Sequence, residues 1–280
     1  MSLRGIIAAM SLSVAIVLVG TTHPGNVGAA ARAMKTMGFP ELRLVDACDH
    51  LDPEAVARAS GADDVLERAT TYPSLAEAIA DCRTVVGTSA RRREISVPIL
   101  AAREIGELLA GLAARTASVQ AVAANGTAEP GESGRAKLET RAAILFGQER
   151  SGLDNAALDL CTHQLRIPCN PEFSSLNLGS AVQVVTYELA QALASVPNEP
   201  PEGPLKADQL PATSAEMAHF FEHLDRVMIA TGFLDPERPR QLRRRVRRYF
   251  ERSRPSVNEL AILRGVLSAS EGARRRPDER

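Results

Sequence analysis

The stretch SVAIVLVGTTHPGNVGAAAR, residues 13–32, begins as an apolar run rich in β-branched residues and then breaks at Gly20, Pro24 and Gly25. An apolar run this short, without polar alternation and ending in a turn, reads as a strand of a parallel sheet buried on both faces. Two other readings of residues 6–20 compete with it, a secretory leader and a membrane span. The serines interrupt the run, and it is too short to cross a bilayer. Met10 is an alternative start, so residues 1–10 read as a disordered extension.

Working outward, short apolar runs at 14–19, 42–45, 84–87, 142–146 and 164–167 alternate with helical patterns. That alternation is the signature of βα units around a parallel sheet. Ser74 with Glu77 forms a capping box before LAEAIADC, and Gly38 stops the helix that ends AARAMKTM. Residues 116–140 lose periodicity and gather Gly, Ser, Glu and Pro, which reads as a mobile surface insertion. Residues 196–213 are Pro-rich and read as a semi-rigid linker, closing a sheet domain over 11–195.

Beyond the linker, Thr213 and Glu216 form a second capping box, and Ser256 with Glu259 a third. Three short helices over 214–270 make a small bundle, followed by a tail at 271–280. Between Arg238 and Arg254 stand nine arginines. Arg240, Arg244, Arg247 and Arg248 share a face opposite the apolar stripe Leu242, Val246 and Phe250, which suits RNA phosphates.

Composition narrows the classes. The 280 residues are 45% apolar and 24% charged, with a net charge of −1, so any attraction to nucleic acid must come from local clustering. With 4% aromatics and no Trp, a module built mainly on base stacking is disfavoured. Cys48, Cys82, Cys161 and Cys169 fall at no metal-ligand spacing, and neither do His23, His50 and His163, so no metal is expected. A reduced cytoplasmic protein without a membrane segment is the plain reading.

Three turns follow expected strands: GTTHPGNVGAAAR (20–32), FGQERSGL (146–153) and IPCNPEFSSLN (167–177); VGTSARRR (86–93) is a fourth. In open α/β sheets, ligands bind at that edge. Neither a Gly-x-Gly-x-x-Gly fingerprint nor a P-loop is present in the first turn. After the third turn, Ser175 is placed to cap a helix. Leu178, Ala181, Val182, Val185 and Leu189 form its apolar stripe, and Val184 widens it. Such a helix is buried on both sides, in a core or against a partner chain.

Taken together, Asn26-x-Gly28-x-x-x-Arg32, Gly147-x-Glu149-x-x-Gly152-Leu153 and Ser175-Leu176-Asn177 resemble the three ordered motifs of the SpoU branch of the SPOUT superfamily, RNA ribose 2′-O-methyltransferases. The stretches VVGTSAR, NPEFSSLNLGSAVQVVTYE, ATGFLDPERP and NELAILRGVL resemble the TrmJ subfamily of tRNA (cytidine/uridine-2′-O)-methyltransferases. The insertion and Gln148, where a basic residue is expected, depart from it.

This resemblance implies an α/β fold, with a five- or six-stranded parallel sheet, a C-terminal trefoil knot and a small helical C-terminal domain. It further implies a homodimer and a tRNA partner, with the modified nucleotide in the anticodon loop. S-adenosylmethionine is implied in the knot, against Thr88, Ser89, Ala90, Gly147, Ile167, Ser174, Ser175 and Leu176. The small residues Gly179, Ser180 and Ala181 would let backbone approach it. The implied catalytic set is Arg32, Asn26, Glu149, Ser175 and Asn177, with Arg32 a fixed charge beside the developing alkoxide. The alternatives are an rRNA methyltransferase of the same fold and a non-catalytic RNA-binding protein that retains it.

Overall fold

The computed structural model describes residues 12–89, 97–125, 140–170, 172, 176–195 and 206–274. Along the chain, β1 (Leu12–Val19) leads through α1 (Pro24–Thr36) to β2 (Glu41–Val45). Helices α2 (Pro53–Ala59) and α3 (Asp63–Glu67) precede β3 (Thr70–Tyr72), and α4 (Leu75–Ala78) precedes β4 (Thr84–Thr88). Then come β5 (Ile99–Leu100), the long α5 (Ala102–Asn125), β6 (Thr140–Phe146), α6 (Asn155–Asp159), β7 (His163–Leu165) and α7 (Leu178–Ser195). After a 3-10 turn (Ala207–Gln209), α8 (Ser214–Ala230), α9 (Leu242–Ser253) and α10 (Val257–Arg274) end the described chain.

The strands form one sheet in the order β3-β2-β1-β6-β4-β7-β5, every pairing parallel. All five expected strands are present with small shifts at their ends. The sheet also gains β3 and β5, edge strands of three and two residues, too short to show a period. The opening stretch behaves as its composition dictates. Val14, Ile16 and Leu18 pack into the core on one face of the sheet, beneath α1, α5 and α7. Ala15 and Val17 pack on the other, with Ala78, Ile79 and Leu158. A strand covered on both faces has no position at which a polar residue is cheap, hence its unbroken apolar run.

Two expectations are corrected here. The insertion does not begin at Thr116, because α5 continues to Asn125. Thr116 is fully buried, its hydroxyl hydrogen-bonded to Thr140 and to the Leu112 carbonyl, and Val119 is buried as well. Residues 112, 116 and 119 extend the buried helical stripe, which the Gly- and Pro-rich segment after it masked in composition. Residues 126–139 lie outside the described residues. The second half of the linker is likewise no free spacer. Leu210 and Ala212 are buried, and the Ser214 and Ala215 N–H groups donate to the carbonyls of Cys82 and Ala80 at 2.9 and 3.0 Å.

The bundle core is Met217, Phe220, Phe221 and Leu260, with Phe250 packed edge-on against Phe220 at 4.8 Å. Both expected capping boxes form. The Glu216 N–H donates to Thr213 Oγ1, and the Glu259 N–H donates to Ser256 Oγ, each at 3.3 Å.

Candidate functional site

Beyond the carboxyl ends of β4, β6 and β7 lies a cavity of about 310 Å³. Of the residues expected to hold a ligand, Thr88, Ser89, Gly147, Ile167 and Leu176 line it. Ala90, Ser174 and Ser175 lie outside the described residues. The turn after β6 forms its floor. Gln148 bridges to Gly152, which has φ +68°, and a Cβ on Gly147 would stand 2.2 Å from the backbone of Gly152 and Leu153. Only glycine lets the turn close that tightly. The Thr88 hydroxyl donates to the Leu145 carbonyl at 2.8 Å, tying the β4 end to β6.

Three motifs far apart in the chain meet beside this cavity. Asn26 Nδ2 donates to Glu149 Oε1 at 2.9 Å, and Asn177 Nδ2 donates to Asn26 Oδ1 at 2.9 Å. Asn177 Oδ1 in turn accepts the Gly179 N–H at 3.0 Å. Each asparagine amide thus uses its donor and acceptor ends in one chain of bonds. Burial alone would raise the Glu149 carboxyl. The Asn26 amide and the backbone N–H groups of Glu149, Thr22 and His23 outweigh burial and hold it below its usual range, as a carboxylate.

Asn177 caps α7, its side chain accepting the Gly179 N–H, while Ser175, the expected cap, lies outside the described residues. Gly179 serves helix packing: a Cβ there would lie 2.6 Å from Ala29 Cβ on α1, so the small residue permits α1 and α7 to touch. Gln148 and Ser151 also line the cavity, with Ser151 Oγ donating to Gln148 Oε1 at 2.8 Å. Cys169 does so too, and no motif position pointed to it.

Arg32 stands one turn along α1 from Ala29 and is exposed. Its guanidinium makes no hydrogen bond or ion pair among the described residues, and it is not part of the cavity wall. It stands as a cation on the exposed surface of α1.

The expected phosphate face of α9 is largely consumed by the protein itself. Asp159, at the end of α6, accepts from Arg244 Nε at 3.0 Å and from Arg248 Nη2 at 2.9 Å. Arg248 also donates to the Leu158 carbonyl at 3.0 Å, leaving its side chain 10% exposed. Arg247 lies over the Phe221 ring, 4.2 Å from its centroid. Of the four arginines read as phosphate contacts, Arg240 alone is exposed. A helical wheel gives the face a residue occupies but not its neighbours, and here the neighbours are a carboxylate and the carbonyl end of a helix.

Among the described residues, no group of three or more His, Cys, Asp or Glu could hold a metal ion, and no helix is long and apolar enough to cross a membrane. The four cysteines are free thiols. The site therefore offers a slot lined by apolar, backbone and hydroxyl groups beside an Asn177-Asn26-Glu149 chain of hydrogen bonds, with Arg32 outside its wall.

Residues 13–187 match the model of the SpoU rRNA methylase family, and residues 215–279 match that of the tRNA methyltransferase TrmJ C-terminal domain. The chain is 40% identical to the tRNA (cytidine/uridine/adenosine-2′-O-)-methyltransferase TrmJ of Pseudomonas aeruginosa, covering 91% of this chain and 93% of that protein. It is 41% identical to the tRNA (cytidine/uridine-2′-O-)-methyltransferase TrmJ of Photorhabdus laumondii, over 92% and 97%. Among solved structures it resembles TrmJ from Z. mobilis ZM4, with TM-score 0.70, 31% identity and coverage of 92% and 99%. It also resembles a probable methylase family protein from Haemophilus influenzae, with TM-score 0.53, 36% identity and coverage of 93% and 96%.

Proposed function

Because the chain belongs to the SpoU methylase family and ends in a TrmJ C-terminal domain, we propose that it methylates a ribose 2′-hydroxyl of tRNA with S-adenosylmethionine as methyl donor. The observation that carries this reading is the meeting of Asn26, Glu149 and Asn177 beside the cavity. The residues present fit the donor. Ile167, Leu176 and Leu165 offer apolar walls for its flat adenine, and the tight Gly147 turn leaves backbone at the cavity edge. When bound, S-adenosylmethionine would supply a sulfonium methyl group that passes to the ribose 2′-oxygen as the C–S bond breaks, leaving S-adenosylhomocysteine and releasing the 2′-proton to water.

The protein's part in this is alignment and charge. Holding reactants in line lowers a barrier by on the order of 7–11 kcal/mol in well-oriented systems. The Asn177-Asn26-Glu149 chain fixes the entry of α1 against the β6 turn and α7, so that the two sides of the site keep their spacing. Arg32 carries a guanidinium, whose delocalised cation makes it a poor general base. It acts as a fixed positive charge that stabilises the developing alkoxide and grips an adjacent phosphate.

The same reading assigns a C-terminal trefoil knot to the sheet domain, a cytoplasmic setting, and a homodimer. Support for the dimer comes from α7, whose face away from α1 and α5 leaves Val184 39% and Tyr187 48% exposed. The target nucleotide is a cytidine or uridine of the anticodon loop.

The test is transfer of labelled methyl from S-adenosylmethionine to unmodified tRNA, with the product nucleoside mapped by mass. Arg32→Ala is expected to lower kcat by about 10²–10³-fold while the affinity for S-adenosylhomocysteine is unchanged. Near-normal turnover would remove Arg32 from the mechanism. Methylation of rRNA with none of tRNA would overturn the substrate.

A further inference from the structure

Of the nine arginines between Arg238 and Arg254, Arg238 and Arg240 precede α9, and the structure sorts the other seven into two groups. Arg244 and Arg248 are bound to Asp159, Arg243 to Asp225, Arg254 to Thr84 Oγ1, and Arg247 lies on Phe221. The guanidiniums of Arg245 and Arg252 make no hydrogen bond or ion pair among the described residues, and both side chains are exposed. They sit four residues before and three after Tyr249. At 100° per residue, Arg245, Tyr249 and Arg252 fall within an arc of about 60° on α9. Tyr249 is 61% exposed, and its ring neighbour among the described residues is Phe250, which meets it edge-on at 5.3 Å. The helix has one acidic residue, Glu251, and it is buried on the opposite face.

We infer that Arg245, Tyr249 and Arg252 form a platform on which an unpaired base of tRNA stacks, with the two guanidiniums holding the phosphates on either side. This rests on the tRNA reading above and names the part of the RNA the helix meets. A flat ring between two exposed cations, on a helix face that carries no acidic residue of its own, is complementary to a flat base on an anionic backbone. A duplex would hide its bases from such a ring, so the stripe selects a single-stranded loop. The chain's net charge of −1 supplies no global attraction, which leaves the work to a local patch of this kind.

The experiment uses the full-length protein and follows tRNA methylation, with S-adenosylhomocysteine binding and thermal melting as controls on the site and the fold. Tyr249→Ala is expected to raise the KM for tRNA on the order of 5- to 100-fold, the loss typical of one stacked base, with kcat and cofactor affinity within about twofold. Tyr249→Phe keeps the ring and should retain the wild-type KM. Replacing Arg245 and Arg252 by alanine should flatten the salt dependence of tRNA binding, by about 0.7 in log-log slope per residue. If wild type methylates tRNA and these variants keep its KM and salt slope, the platform is refuted. If instead Tyr249→Ala changes the sedimentation coefficient, the stripe is a contact between copies and the proposal falls. Failure of the underlying reading looks different, because wild type and every variant would then leave tRNA unmethylated.

Discussion

Glu251 is 6% exposed, with Arg247, Arg248 and Arg254 close enough to favour its charge, but it has no hydrogen bond from any of them among the described residues. Burial prevails over the three arginines and pushes its carboxyl up to about 7. The folded state thus holds a proton that the unfolded chain, with a carboxyl near 4.5, has already released. Its contribution to stability is fully present below about pH 4.5 and is lost as pH rises through about 7. Glu251→Gln should match or trail wild type at pH 5 and gain on it by about 1–3 kcal/mol at pH 8.5, as read by thermal melts. Parallel melts of the two proteins at every pH would dispose of the buried acid. At this scale the motif glycines and asparagines were legible, because a tight turn demands Gly147 and a helix start favours Asn or Ser. That Asn177 also donates to Asn26 was not legible, since its partner stands 151 residues away.

Helix α9 shows why a charge pattern underdetermines its use. The apolar stripe Leu242, Val246 and Phe250 set its inner face, but the arginines beside that stripe were divided by what stood opposite them. Asp159 is the anchor that joins this helix to the sheet unit. Asp159→Ala should strand Arg248, whose Nε already lacks a partner, and cost about 2 kcal/mol, part of the full buried-pair penalty because the pair keeps some solvent. Hydrogen exchange should show α9 opening faster with β1 and β6 unaltered. Equal protection in α9 would mean that the apolar seam alone holds it. The long α5 carries the complementary lesson: Thr116 and Val119 continue its buried stripe, yet the Gly- and Pro-rich stretch that follows gave the whole segment the look of a loop.

At the level of the whole molecule, α7 packs Val182, Val185 and Leu189 against α1 and α5 while Val184 and Tyr187 face outward. In the proposed dimer that outer face is covered. Sedimentation should give twice the chain mass of 30.0 kDa, and Val184→Glu with Tyr187→Glu should halve it. A monomer at micromolar concentration in the unaltered protein would dissolve the assembly. Sequence by itself determined the parallel sheet, the helix caps at Ser74, Thr213 and Ser256 and the three motif turns, because each is written in a few adjacent residues by period, steric demand or an orphan N–H. The tertiary structure alone decided that Asn26, Glu149 and Asn177 share one chain of hydrogen bonds, that short β3 and β5 edge the sheet, and which arginines stay free. Those outcomes depend on groups brought together across 85 to 151 positions, and a hydrogen bond or ion pair between them has no signature until the chain has closed that distance.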